Sequence, residues 1–596
     1  MRVGRLLAAL TAGLAWTLVA SAAPNPPVAP PAPAARYIIE ASSTAAARRA
    51  VWNTGAASRQ DLPIINAVVA DLSPAQAAAL ARIRGVHVFA DRAIATDSLG
   101  SLLSPVTSVL SPVTTPVVTT ASSLTATSDG HGQLLPTLLF QTNYPMLVGA
   151  DTLQQAHITG RGVTIAVLDT GLWQDPSQNY AGRILATRDV LNGGTGPVTG
   201  DPYGHGTHIT SIAAGGAVNV AGNDLGIAPG ASLVIVRAFD GTGGGRYTDV
   251  IAGLDWIVAN RVRYNIRVLN LSFGSPPQSY YWDDPLNKAV MAAWQSGIVV
   301  VAAVGNEGPS PMTVDVPGNV PYVITAGAMT DNNTPYNATD DRLASFSSTG
   351  PTYEGFVKPE LIAPGGHMVA SMSGSSYLAN IDPGSMMLTE QMFTMSGTSQ
   401  ASAVISGVVA LILQSEPGLT PDAVKCKLLA SGRPAVTSAG KLAYSVFQQG
   451  AGLINAVSAL NSSATGCANV GLNIGADLAG TMHFGGPANR DANGNYYIMD
   501  LSSQTWGTPA PGDGYSWSSG YTWSQGYTWS QGYTWSQGYT WTKGYTWTKG
   551  YTWTKGYTWS KGYTWSKALP WWNTSGTGSG IGLSTPAAIE PWVPNQ

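Results

Sequence analysis

Between residues 145 and 460 the chain alternates short, nearly continuous apolar runs with helical stretches and glycine-rich turns, and this pattern constrains the fold more than any other feature. The runs include Val163–Leu168, Val234–Val236, Val268–Leu271, Ile298–Val304 and Val323–Ala326. A strand with one wet face alternates apolar and polar residues, whereas a run without alternation is buried on both faces. Helices must then cover both sides of a parallel sheet, which is an α/β architecture. In such sheets the chemistry collects at the carboxyl ends of the strands. The polar residues that close these runs are therefore the first candidates for function.

Three segments stand at such strand-to-helix junctions. In Ile165-Ala166-Val167-Leu168-Asp169-Thr170-Gly171 a buried strand ends in a carboxylate followed by a tight turn. A carboxylate there can orient an imidazole and stabilise its protonated form; taken alone it reads more often as a turn former or helix cap. In Gly204-His205-Gly206-Thr207-His208 the imidazole opens a helix of small residues, with a glycine on each side. His205 and His208 could also form a metal pair, but no helix-borne Glu or third ligand accompanies them. In Ser396-Gly397-Thr398-Ser399-Gln400-Ala401-Ser402 a hydroxyl starts the apolar helix that runs to Leu413. The free N–H groups and dipole at a helix start favour a developing oxyanion, although an ordinary N-cap serine reads the same way.

The combination is more specific than its parts. Asp, then His, then Ser in chain order, within the motifs VLDTG, HGTH and SGTSQAS, resembles the subtilisin-like serine proteases. Val301-Ala302-Ala303-Val304-Gly305-Asn306-Glu307-Gly308 resembles that family's oxyanion segment. Leu271-Ser272-Phe273-Gly274 and Gly243-Gly244-Gly245 resemble the two edge strands that hold an extended substrate. The glycine run enters no phosphate-loop pattern, because no Lys-Ser/Thr follows it. The resemblance implies a subtilisin-like parallel sheet flanked by helices over 145–460. Asp169, His205 and Ser399 would be the triad and Asn306 an oxyanion donor. Substrate would lie along Gly243, Gly244, Gly245, Ser272, Phe273 and Gly274. Residues 37–95 resemble the family's propeptide, a small ferredoxin-like α+β unit that acts as chaperone and inhibitor, with a linker at 96–144 where cleavage would release it. No cofactor is required; the family often carries a structural calcium ion, for which no ligand set stands out here. The chain departs from the family pattern at Ser396, usually Asn, and at Ala403-Val404, usually Pro-His. Met368–Met395 is longer than usual and is expected to form an extra surface loop.

The first residues point to an exported chain. Arg2 and Arg5 precede an apolar run from Leu6 to Ala20 and a small-residue cleavage site, so 1–22 reads as a secretory signal peptide. No later stretch of about 18 apolar residues occurs, so no transmembrane segment is expected in the mature chain. The net charge of −3, with charged residues at 11%, offers no basic surface for nucleic acid. Two cysteines, Cys426 and Cys467, can form one disulfide in an exported chain. A Gly/Asn-rich extension, 461–513, leads into nine copies of Gly-Tyr-(Thr/Ser)-Trp-(Ser/Thr)-X over 514–567, then a tail to 596. A strand with this even period carries Tyr, Trp and Gln/Lys on one face. Such a stripe suits adhesion to a cell-surface polysaccharide, repetitive β packing or a disordered tail. The expected function is a secreted serine endopeptidase made as an autoprocessed precursor that acts on proteins or peptides. The alternative is an inactive scaffold of the same fold that binds surfaces through the aromatic repeats.

Overall fold

The computed structural model describes residues 34–96, 144–219, 222–332, 334, 340–386, 391–437, 442–486, 488–490, 496–500 and 505–510, with short repeat segments between 527 and 558. The signal segment 1–22, most of the connector 96–144, most of the repeats 514–567 and the tail from 568 lie outside the described residues.

The N-terminal unit runs β1 (Ala35–Glu40), α1 (Thr44–Trp52), β2 (Ser58–Leu62), β3 (Ala67–Leu72), α2 (Pro74–Leu80) and β4 (His87–Ala90). Its antiparallel sheet has the order β2-β3-β1-β4. Ser43 and Ser73 cap the two helices through their hydroxyls, and Ser73 with Gln76 forms a capping box. The sequence pattern predicts a strand over Ile64 to Val69; the chain instead closes β2 at Leu62, turns through Pro63–Ile65 and starts β3 at Ala67. The proline and the left-handed Asn66 account for that break. A further short strand, β5 (Ala93–Thr96), leaves this sheet altogether.

The main body follows with α3 (Tyr144–Leu147), α4 (Ala150–Gln155), β6 (Thr164–Asp169), β7 (Ile184–Asp189), α5 (His205–Ala214), β8 (Ser232–Arg237), β9 (Gly244–Arg246), α6 (Tyr247–Asn260), β10 (Ile266–Leu271) and β11 (Phe273–Gly274). It continues with α7 (Pro285–Gln295), β12 (Val299–Ala303), β13 (Ile324–Thr330), β14 (Arg342–Leu343), β15 (Leu361–Pro364), β16 (Met368–Ser371), α8 (Tyr377–Ile381), β17 (Met392–Met395), α9 (Thr398–Ser415) and α10 (Pro421–Ser431). Eight strands form one sheet in the order β14-β13-β12-β10-β6-β8-β7, with β15 also on β13. All its pairings are parallel except β13 with β14. Every residue of β6 is buried, as the unbroken apolar run requires. After β6 the chain builds β7 and β8 on one side and then β10, β12 and β13 on the other. The reversal of direction leaves a crevice beside the carboxyl end of β6.

Helix α9 is buried from Thr398 to Leu413 and packs against α5, β10, β12 and β13. Among the described residues it is long and apolar enough to cross a membrane, yet its faces are taken up by this core. The stretch 368–395 is more than the surface loop the sequence suggests. β16 and β17 pair antiparallel, and Met372, Leu378, Ala379, Phe393 and Met395 form a small separate core with Tyr203. Apolar residues at close spacing allowed the segment to bury its own side chains.

A second fastening lies on the far side of α9. Lys358 and Lys425, both fully buried, converge on Glu360 Oε1 at 2.6 and 2.9 Å, while Glu360 Oε2 accepts the Thr325 N–H. Burial lowers the Lys358 ammonium to about 7. Cys426, next to Lys425, is disulfide-bonded to Cys467, so α10 is held covalently as well as electrostatically. Replacing Glu360 by Gln leaves the buried Lys358 and Lys425 amines without the carboxylate that both contact. Destabilisation of about 3–5 kcal/mol is expected, read as a lower denaturant midpoint at pH 7; an unchanged midpoint would contradict this account.

Candidate active site

Asp169 closes β6 and His205 opens α5, and a buried hydrogen bond of 2.8 Å joins Asp169 Oδ1 to His205 Nδ1. The same Oδ1 accepts the Thr170 N–H at 2.7 Å, which fixes the carboxylate plane. With a carboxylate on Nδ1, that nitrogen carries the hydrogen and Nε2 is the basic one. Gly206 makes the close approach feasible. A Cβ there would stand 2.3 Å from the Gly171 carbonyl oxygen, and the Gly206 N–H donates to Thr170 Oγ1 at 2.8 Å.

The start of α5 is anchored by a residue that the sequence reading passed over. Asp201 accepts the Gly204 N–H on one oxygen and both the N–H and hydroxyl of Thr207 on the other, all at 2.8–2.9 Å. An Asp shortly before a helix start is the available signal. His208, one turn along, is no ligand or acid–base group. It is fully buried, its Nε2 lies 3.0 Å from the Phe393 carbonyl, and burial lowers it to about 3.

Ser399 is the second residue of α9. Its Oγ donates to the Ser272 carbonyl at 3.3 Å, so nucleophile candidate and substrate-strand candidate meet. Beneath them lies a buried polar network. Ser272 Oγ and Ser402 Oγ both donate to the Ser399 carbonyl, at 3.1 and 2.8 Å, and Ser406 Oγ donates to Asn270 Oδ1 at 2.9 Å. Asn270 Nδ2 in turn donates to Ser272 Oγ at 2.7 Å. These bonds lock the first turns of α9 to the end of β10. Asn306 follows β12, and its Oδ1 accepts the Thr398 N–H at 3.0 Å and the Thr398 hydroxyl at 3.1 Å. A backbone N–H can only donate, so the amide oxygen faces Thr398 and the amide nitrogen is turned away from it.

The remaining candidates form the cleft. β11 and β9 do not touch each other; β5 lies between them, antiparallel to both, in the order β11-β5-β9. Thr96 is paired with Phe273 and Ala95 with Gly274; on the other side Ala95 is paired with Gly244 and Ile94 with Gly245. The Thr96 N–H donates to the Gly243 carbonyl at 3.1 Å. Nothing in the local sequence of Ala93–Thr96 marks it as a strand that leaves its own domain. Among the described residues no group of three or more His, Cys, Asp or Glu side chains is arranged to hold a metal ion.

A parallel α/β sheet with an Asp–His pair, a helix-borne serine and a peptide cleft at its carboxyl edge defines the class. The subtilase family model matches residues 160–452. Serine protease AprX of Bacillus subtilis (strain 168) is 41% identical over 284 residues, 46% of this chain and 62% of that protein. Subtilisin E of the same strain is 32% identical over 311 residues, 52% of this chain and 68% of that protein. The crystal structure of fervidolysin from Fervidobacterium pennivorans, a keratinolytic enzyme related to subtilisin, shares the fold with a TM-score of 0.52 at 20% identity, covering 73% of this chain and 62% of that one. The chain belongs to the subtilase family.

The depressed His208 value has a stability consequence. In the unfolded chain His208 titrates near 6.5 and in the fold near 3, so between these values the unfolded state holds more protons. Stability is full above about pH 6.5 and is lost as pH falls toward 3. His208→Gln is expected to flatten the fall in Tm between pH 7 and pH 4; parallel Tm–pH curves for the two proteins would contradict it.

Proposed function

We propose that the protein is a secreted serine endopeptidase in which His205 takes the proton of Ser399 as that hydroxyl attacks a peptide carbonyl. Asp169 holds the His205 tautomer and stabilises the imidazolium that forms. The Asn306 amide and the Ser399 N–H at the start of α9 receive the developing oxyanion. His205 then protonates the leaving amine, and water, deprotonated by the same imidazole, hydrolyses the acyl-enzyme. The observation that carries this reading is the buried 2.8 Å Asp169–His205 bond at the carboxyl edge of the sheet, beside a cleft that holds an extended strand of chain. Ser399→Ala is expected to abolish casein cleavage and labelling by a fluorophosphonate probe while leaving the circular dichroism spectrum unchanged. Wild-type rates in that variant would overturn the assignment.

The reading extends to maturation. Residues 37–95 act as chaperone and inhibitor, and β5 blocks the cleft as a substrate would. The unit is bound to the body by charge as well as by strand pairing, through Lys288–Glu40 at 2.8 Å and Arg92–Asp284 at 3.2 Å. For any peptide in the β5 register, the residue after the Thr96 position falls opposite Ser272, whose carbonyl Ser399 touches. Attack at that residue's carbonyl gives a mature chain that starts at Ser98. Edman degradation or intact mass of the secreted enzyme checks this. A start before residue 90 would sink the maturation scheme.

A further inference from the structure

Thr96 shows what the cleft admits one residue before the bond-forming position. Its side chain is almost wholly buried, and its hydroxyl has no hydrogen-bond partner. It sits on Gly243. A Cβ on Gly243 would lie 2.9 Å from Thr96 Oγ1 and 2.6 Å from Cζ of Tyr203, so the Thr96 side chain and the Tyr203 ring meet over the bare glycine.

Tyr203 is a fixed wall, and the inserted stretch after β16 fixes it. The Tyr377 ring stacks on the Tyr203 ring at 5.7 Å with 21° between planes. The Tyr377 N–H donates to the Pro202 carbonyl at 2.8 Å and the Leu378 N–H to the Tyr203 carbonyl at 3.2 Å. Met372, Leu378 and Phe393 close the small core around the same ring. Tyr203 stands two residues before His205, and Asp201 binds the helix start immediately beyond it. The stack and the two backbone bonds hold the ring in place.

We infer that Tyr203, buttressed by Tyr377 from the inserted segment, sets the substrate preference at the position occupied by Thr96, admitting small or β-branched side chains and rejecting large ones. The inference rests on the peptidase reading. Because the Thr96 hydroxyl finds no partner, valine fits there at least as well as threonine. A larger ring or a lysine must displace Tyr203 and its stack.

The test uses secreted wild-type enzyme and internally quenched peptides that differ only at the residue preceding the one cleaved. A Val peptide is expected to exceed a Phe peptide in kcat/KM by about 10- to 100-fold, the range over which a shaped apolar pocket discriminates. Tyr203→Ala should reduce that ratio to within about threefold by raising the Phe rate, an effect that a loss of folded protein cannot produce. Tyr377→Ala, made at a half-exposed residue, should give an intermediate ratio. Wild-type enzyme that cleaves Val and Phe peptides equally, or ratios unchanged in both variants, would overturn the inference. If the enzyme cleaved no peptide and took up no fluorophosphonate, the peptidase reading would fall and this inference with it; labelling and cleavage without discrimination would defeat this inference alone.

Discussion

The burial of helix α9 on every side is the constraint on which the rest of the structure depends. Its sixteen residues from Thr398 to Leu413 are withdrawn from solvent, so sheet and helices must enclose it. β10, β12 and β13 pack along one side and α5 along another. That enclosure leaves the helix start at the carboxyl edge of the sheet, where Thr398 is held by Asn306 and the Ser399 carbonyl by Ser272 and Ser402. The start of the helix is thus positioned by the burial of its remainder. A buried helix start with unmet N–H groups would be costly; here the Asn306 amide oxygen accepts that of Thr398.

The polar groups around this point are ordered to a degree that packing alone does not require. Asp169 accepts from both His205 and Thr170, and Asp201 gathers three donors at the start of α5. Buried hydrogen bonds of this kind fix geometry because the alternative, a desolvated group without a partner, costs about 1–3 kcal/mol each. The same logic applies in the Lys358–Glu360–Lys425 cluster, which pins α10 to β13 and β15 away from the cleft. There the charges serve the fold.

The segment β5 links the N-terminal unit to the body by adding a strand between β9 and β11. The two edge strands do not pair with each other, and β5 pairs with both. The inserted stretch between β16 and β17 acts on the same cleft from the opposite side. Its small core exists for its own packing reasons, yet it clamps Tyr203 two residues before His205.

The sheet was legible because burial on both faces leaves a local mark, the apolar run without alternation. Asp169, His205, Ser399 and Asn306 were legible because each ends a run or starts a helix, and their order along the chain carries meaning. Met368–Met395 was visible as an insertion, but its helix and hairpin were not, since its core includes Tyr203 from another part of the chain. Asn270, Ser402 and Tyr377 gave no comparable mark, because their roles depend on partners across the fold: Asn270 meets Ser406 from 136 residues away. The sequence by itself determined which residue types stand at the strand and helix ends, since periodicity and backbone chemistry act over a few residues. Only the tertiary structure decided which of them meet, and that Ala93–Thr96 lies in the cleft, because strand pairing and side-chain contact are set by distance in space.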